Sequence, residues 1–435
     1  MAAKAADYFP HILRPHSDCS EVFSRWFDNA EFAQLTVSKF FPHQCKSFSK
    51  ISLSASLHVE NGADYYDDMC KCMAPVNFFT HAFSALAQGD FSVDVEEALE
   101  KLGKYMEDEK KHVPCISKIM EEDKISEKQI LLVFAHHLFE PLLPRAEMLV
   151  DEYVGIDASK CPFCPGKNEA VKSGTTSFGV PGMWHGKADI IIKHGKVQQA
   201  VAVRQGSSGS SGEPAAKRQR MDSEEKETES SIAGEKETEC SRTGLVEVKK
   251  DLNWKVTRKS EQDQDPVPQI LSQTIVNAFL VAKVNQNLKN FFIPSFLVSP
   301  KGVRLVMYNL PNDSLVTQVE CQPVLFNKEL NRRVVFTIWL ALNFDKFCLD
   351  KSVKIIEKFL KPCGFRSEIL KYGVKECYEQ NVREGVEERP ESNDVYRVYV
   401  DTDARLESWK VLSGSYTSPK PCGDGAVSRS HLGIL

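Results

Sequence analysis

Apolar residues recur at three- and four-residue spacing over 93–111, where Val95, Leu99, Leu102 and Met106 would line one face of a helix. Ser126 stands in N-cap position before a second helical pattern, 126–139, that stops ahead of Pro141. A third helix is expected near 144–154. After Gly155 the texture changes to Gly, Val and Ile. There 188–193 and 197–203 read as a β-hairpin turning at His194-Gly195. Residues 245–249, LVEVK, form a short β-type run. A helix from about Pro268 to Leu288 follows, with proline where a first helical turn tolerates it. A second hairpin pairs FFIPSFLVS with GVRLVMYNL through Pro300-Lys301-Gly302, and helices are expected at 327–343 and 350–360. Residues 18–60 show no clean period.

Between the β-type runs, residues 205–242 hold mainly Gly, Ser, Glu, Lys and Thr and no aromatic residue. Such a stretch buries too little apolar surface to offset its ordering entropy, so it reads as a disordered insertion. The expected organisation is a mainly helical acidic region at 1–154 and a β-rich core at 155–312. A helical extension at 313–390 and a polar tail at 391–435 complete it.

Charge and cysteine content sharpen this layout. The 435 residues carry a formal net charge of -5, which by itself gives no hint of a polyanionic partner. The sum hides an asymmetry: 1–151 carries -9, whereas 152–204 carries +3 and 243–375 carries +8. Thirteen cysteines in no framework spacing, and an N-terminus without an apolar signal core, lead us to expect free thiols and an intracellular protein, nuclear or cytoplasmic. No apolar run approaches the roughly 18 residues of a membrane span, the longest lying at 334–344.

Three elements of the β-rich region carry chemistry. Gly186-Lys187-Ala188-Asp189 opens one strand and Glu247-Val248-Lys249 closes another. A helix then presents Gln269 and Gln273 four residues apart, on one face. Glu247 and Lys249 point to the same side of their strand, and Val246 and Val248 to the other. With the two strands adjacent, two carboxylates and an ammonium would converge at one sheet edge. That set suits Mg²⁺ (or Mn²⁺), a hard cation preferring oxygen ligands, and metal-assisted phosphodiester hydrolysis. The competing reading is an ordinary strand-end salt bridge. The triplet Glu-x-Lys alone decides little, since 109–111, 122–124 and 224–226 also match; only the copy at 247–249 sits in a β-type apolar run.

In this order Gly-x-x-Asp, Glu-x-Lys and the Gln-bearing helix resemble the PD-(D/E)XK nuclease superfamily, over about 155–312. The resemblance implies an α/β (α+β) fold: a restriction-endonuclease-like mixed β-sheet core of αβββαβ order, flanked by helices. It implies that Asp189 and Glu247 are metal ligands, that Lys249 is the catalytic lysine, and that Gln269 or Gln273 contacts phosphate or organises the site. It also implies a further acidic residue from a helix before the Asp strand, which by position would be Glu147 or Asp151. The partner would be nucleic acid, DNA in the first instance, with no membrane. The alternatives are a catalytically inactive nuclease-fold module that binds nucleic acid or protein, and a helical interaction protein with a purely structural β region. Ala188 stands where the family's name has proline, and the insertion makes the separation of Asp189 from Glu247 long.

Weaker signals remain. Lys217, Arg218 and Arg220 form a short basic cluster resembling a nuclear-localisation signal, which implies an import receptor as partner. His185, four residues before Asp189, is a candidate substrate or site-organising group, and Trp184 a candidate base-stacking or lid residue. Cys161-Pro162-Phe163-Cys164 is a C-x2-C with no second pair at zinc-site spacing, and reads as a structural or free pair. The sequence contains no P-loop, no nucleophile elbow and no internal repeat.

Overall fold

A computed structural model describes residues 32–57, 93–122, 124–152, 157–194, 242–250, 267–347 and 360–386, all within one unit, Met1–Tyr396. Its strands begin with β1 (Phe32–Ser38), β2 (Lys46–Ser47) and β3 (Ser54–Leu57). They continue with β4 (Ala146–Asp151), β5 (Val171–Gly174), β6 (Ser177–Gly179), β7 (Trp184–Lys187), β8 (Ile190–His194) and β9 (Arg242–Val248). Then come β10 (Phe292–Ser299), β11 (Gly302–Asn309), β12 (Ser314–Gln318), β13 (Leu325–Phe326), β14 (Glu329–Leu330) and β15 (Arg383–Glu384). The helices are α1 (Val93–Glu107), α2 (Glu109–Glu121), α3 (Glu127–Phe134), α4 (Val267–Val284), α5 (Arg332–Leu342), α6 (Phe344–Phe347) and α7 (Phe365–Lys371).

Among the described residues nine strands join in one mixed sheet, ordered β3-β1-β12-β11-β10-β9-β8-β4-β5. Four others form a small sheet, β15-β6-β7-β2. β8 pairs antiparallel with both β4 and β9, while β9 and β10 run parallel. Parallel neighbours need a crossover, and α4 supplies it. α4 is buried along almost its whole length between the large sheet and other elements, which is why its composition is apolar all round. By length and composition it could cross a membrane, although no apolar run of that length was expected from the sequence; 78% of that stretch is buried inside the protein. On the opposite face of the sheet Phe139, following α3, packs against Phe296 of β10.

α3 starts where the capping residues put it. Ser126 accepts from the Gln129 N–H and Gln129 reaches back to the Ser126 N–H, a reciprocal pair that satisfies two orphan donors. The helix then widens into a π-turn, Ala135–Phe139, and ends in a 3-10 turn, Glu140–Leu142, that holds Pro141 in its first turn. The periodic residues Val95, Leu99 and Leu102 are buried on α1, and the expected 93–111 helix is two helices meeting at Asp108. β9, α4 and the β10–β11 hairpin lie where the patterns place them.

Several expectations need correction. The helix near 144–154 is the strand β4: Met148 and Val150 alternate with Glu147 and Asp151, and a period of two with partners on both sides overrides helix propensity. β8 is paired with β4 and β9, and its expected hairpin partner, 197–203, lies outside the described residues. Residues 18–60, unread in sequence, contribute β1 and β3 to the large sheet. β1 from the N-terminal region and β12 from the C-terminal extension are hydrogen-bonded neighbours, so boundaries at 154 and 312 cut through one sheet. The helix at 327–343 is shorter, Arg332–Leu342, preceded by β13 and β14. The helix at 350–360, the insertion at 205–242 up to Ser241, the cluster Lys217, Arg218 and Arg220, and the polar tail lie outside the described residues.

Candidate functional site

β8 and β9 place the candidate carboxylates by register. Ile190 faces Val246, so one step further along the same register Asp189 faces Glu247. Asp189 is tied on both sides: its carboxylate accepts the Val248 N–H at 2.6 Å, and its carbonyl accepts the Asp151 N–H at 3.1 Å. Glu247 is almost wholly buried, and Lys249 closes on its Oε1 at 2.7 Å. The Gln273 carboxamide donates to Glu247 Oε2 at 2.9 Å and to the Lys187 carbonyl at 2.8 Å. A helix on one face of the sheet thus holds a carboxylate at the end of a strand.

A third carboxylate comes from α3. Glu127, first residue after the Ser126 cap, accepts the Lys250 N–H at 3.1 Å. It acts electrostatically on Asp189, Glu247 and Lys249 alike. Glu127 is thus a helix-borne acid that approaches the carboxylates, whereas Glu147 and Asp151, expected on a helix, stand on β4. On that strand Glu147 pairs with Lys172 at 3.1 Å, while Asp151, 3.6 Å from the Lys187 ammonium, faces Asp189 one step beyond the Val150–Ile190 pair. The Ser126 cap was the sequence signal for Glu127, because an acid just inside a helix start is a common companion of such a cap.

The electrostatics show crowded negative charge. Burial, then the charge of Glu247, raise the Asp189 carboxyl well above its ordinary range, against the pull of the Val248 N–H and Lys249. Burial likewise raises Glu247, although Lys249 and Gln273 oppose it. Burial pulls Lys249 down, but Glu247, Asp189 and Glu127 outweigh it and its pKa ends above the ordinary value. Two carboxyls held above their usual range by burial, with Glu247 adding to it at Asp189 and Glu127 at both, would be relieved by a cation beside them.

The remaining sequence candidates separate. Gln273 is the glutamine that reaches the cluster; Gln269 lies one turn nearer the start of α4 and is partly exposed. His185 sits in β7, buried, with Nδ1 hydrogen-bonded to the Met183 carbonyl at 2.7 Å; no contact of His185 with Asp189, Glu247 or Lys249 is seen among the described residues. It is not the partly exposed loop histidine that the Gly-rich surroundings suggest. Trp184 is buried too, donating to the Phe41 carbonyl and packing on Phe40 and Phe365, so it is a core residue rather than a base-stacking platform.

A second cluster was missed in sequence. Cys115, His137, Cys161 and Cys164 bring their ligand atoms within 4.8 Å of one another. Cys161 and Cys164 have no second pair at zinc spacing because their companions are single residues on α2 and in the π-turn, 24 or more positions away. No pattern in the chain could have joined them.

Comparison with protein-family models, with curated proteins and with solved structures gives no match.

Proposed function

We propose that this protein is a Mg²⁺- or Mn²⁺-dependent phosphodiester hydrolase acting on nucleic acid, DNA in the first instance, with a PD-(D/E)XK-type site. The observation that carries the reading is the gathering of Asp189, Glu247 and Lys249 at the adjoining ends of β8 and β9, inside the sheet, with Gln273 bracing Glu247. The order α3, β4, β8, β9, α4, β10 also follows the αβββαβ succession of that superfamily's core, with β5, β6 and β7 intercalated.

The donor set fits a hard divalent cation. Asp189 and Glu247 would hold it, with Glu127 adding charge from the helix side. Bound there, the metal would supply Lewis-acid polarisation of a phosphate oxygen and a water acidified towards neutral pH. The protein's own groups do the rest. Lys249, held cationic, would orient the attacking water and offset charge gathering on the phosphoryl oxygens. Gln273 keeps the Glu247 carboxylate from turning away, and the Val248 N–H does the same for Asp189. The +3 and +8 segments that carry these residues suit a polyanion.

One observation favours the inactive-module reading: both oxygens of Glu247 already have protein partners, Lys249 and Gln273. Cleavage assays separate the two. Full chain is incubated with single- and double-stranded DNA and RNA in Mg²⁺, Mn²⁺ or EDTA. The hydrolase reading expects metal-dependent products that fall at least about 100-fold in Asp189→Asn and Lys249→Ala. Binding without products would establish the inactive module, and equal cutting by wild type and both variants would move the site elsewhere.

A further inference from the structure

We propose that Cys115, His137, Cys161 and Cys164 form a structural zinc site, independent of the carboxylate cluster. Three ligands are deeply buried and the fourth, Cys164, is partly so. The His137 Nε2 lies 3.2 Å from the Cys161 sulfur and 3.5 Å from that of Cys164. Tetrahedral zinc, with bonds of about 2.3 Å to sulfur and 2.0–2.1 Å to nitrogen, spaces its ligand atoms roughly 3.5–3.8 Å apart. All four atoms within 4.8 Å therefore surround one ion. An iron–sulfur cluster would hold its thiolates on separate irons and farther apart. Three thiolates and an imidazole are soft and borderline donors that select zinc over Mg²⁺ or Ca²⁺. Four protein ligands also close the coordination shell, which makes the site structural rather than catalytic.

The surroundings are built for the same purpose. The Phe163 N–H points at the Cys161 sulfur, 3.4 Å away, a donor that favours thiolate over thiol. Phe163, between the two cysteines, receives the Lys118 ammonium of α2 at 5.1 Å from its ring centre. The His136 Nε2 is hydrogen-bonded to the Ala158 carbonyl at 2.8 Å, tying the π-turn to the same loop. On the far side of the ring, His137 Nδ1 lies 3.2 Å from His112 Nδ1, and Tyr105 stacks on His112. With Nε2 on the metal, the His137 proton resides on Nδ1 and is donated to His112, the partner that orients a ligating imidazole. His112 is thus a positioning residue. The ion would pin α2, the end of α3 and the 157–170 loop together; α3 carries Glu127 at its other end.

The test uses the full chain and reads metal, not cleavage. Elemental analysis of purified protein should give about one zinc per chain. Modifying the thiols with a mercurial in the presence of a zinc-responsive dye should release it. Cobalt-reconstituted protein should show the visible bands of a tetrahedral site and thiolate-to-cobalt charge transfer. The double variant Cys161→Ser/Cys164→Ser should lose the metal, and His112→Phe should weaken retention against a chelator by about 10–100-fold. Asp189→Asn should keep its zinc whatever the cleavage assays give, so the two proposals stand or fall separately. Zinc-free wild-type protein without cobalt–thiolate bands overturns the proposal, and so does iron with sulfide in place of zinc. The mercurial and cobalt readings on wild type need no variant to fold.

Discussion

Asp189 and Glu247 sit together because β8 and β9 share a register, and their burial sets how the protein responds to pH. Both carboxyls titrate above their ordinary values, so between the unfolded and folded pKa the native state binds more protons. Stability without divalent cation should therefore fall as pH rises from about 4, the unfolded carboxyl range, through the folded values. Asp189→Asn removes one of the two charges while keeping an oxygen for the Val248 N–H. In EDTA it should be more stable than wild type at pH 7, by about 0.5–2 kcal/mol, with the gap closing towards pH 4. Urea midpoints across that range check it; a gap that widens on acidification would contradict the sign. Gly179 is a different kind of residue. Its φ of +145° and a Cβ that would meet the His185 backbone leave no room for a side chain. Gly179→Ala should lower stability by at least about 2 kcal/mol, read from thermal melts.

At the scale of elements, α4 and α3 are the two struts of the carboxylate site, one from each face of the sheet. Gln273→Ala removes the donor to Glu247 Oε2 and the hydrogen bond to the Lys187 carbonyl, an expected loss of about 1–3 kcal/mol. Gln273→Glu keeps the size but sets a further acid against Glu247, so it should lose more than Gln273→Ala in the same denaturation series. Ser126→Ala removes the cap that starts α3 beside Glu127, with an expected loss of about 0.5–2 kcal/mol. These strengths of the sequence were local. A capping pair, a 3.6-residue period and an alternating run each declare themselves within a few residues. β4 did not, because six residues of mixed polarity read as helix or strand until neighbours on both sides supply hydrogen bonds. β1 and β3 were unreadable for the same reason, their partners lying across the chain at β12 and in each other.

For the whole molecule, the sheet runs through the boundaries at 154 and 312 that composition suggested. β12 lies between β11 and β1, and Trp339 of α5 donates to the Ala98 carbonyl of α1 at 2.9 Å. A chain truncated at 312 would expose the β11 edge and lose that brace. It should be protease-sensitive and show no cooperative thermal transition, whereas 32–386 should retain one; circular dichroism and limited proteolysis decide between them.

By itself the sequence determined the residue types of both clusters and the local elements carrying Asp189, Glu247, Lys249 and Gln273, since strand alternation and helical period are short-range properties. Tertiary structure alone decided which of these meet. Glu127 approaches the carboxylates from α3 and Asp151 faces Asp189 from β4, and Cys115 and His137 join Cys161 and Cys164, because contacts between distant segments follow from how buried faces pack. Spacing along the chain carries no record of that packing.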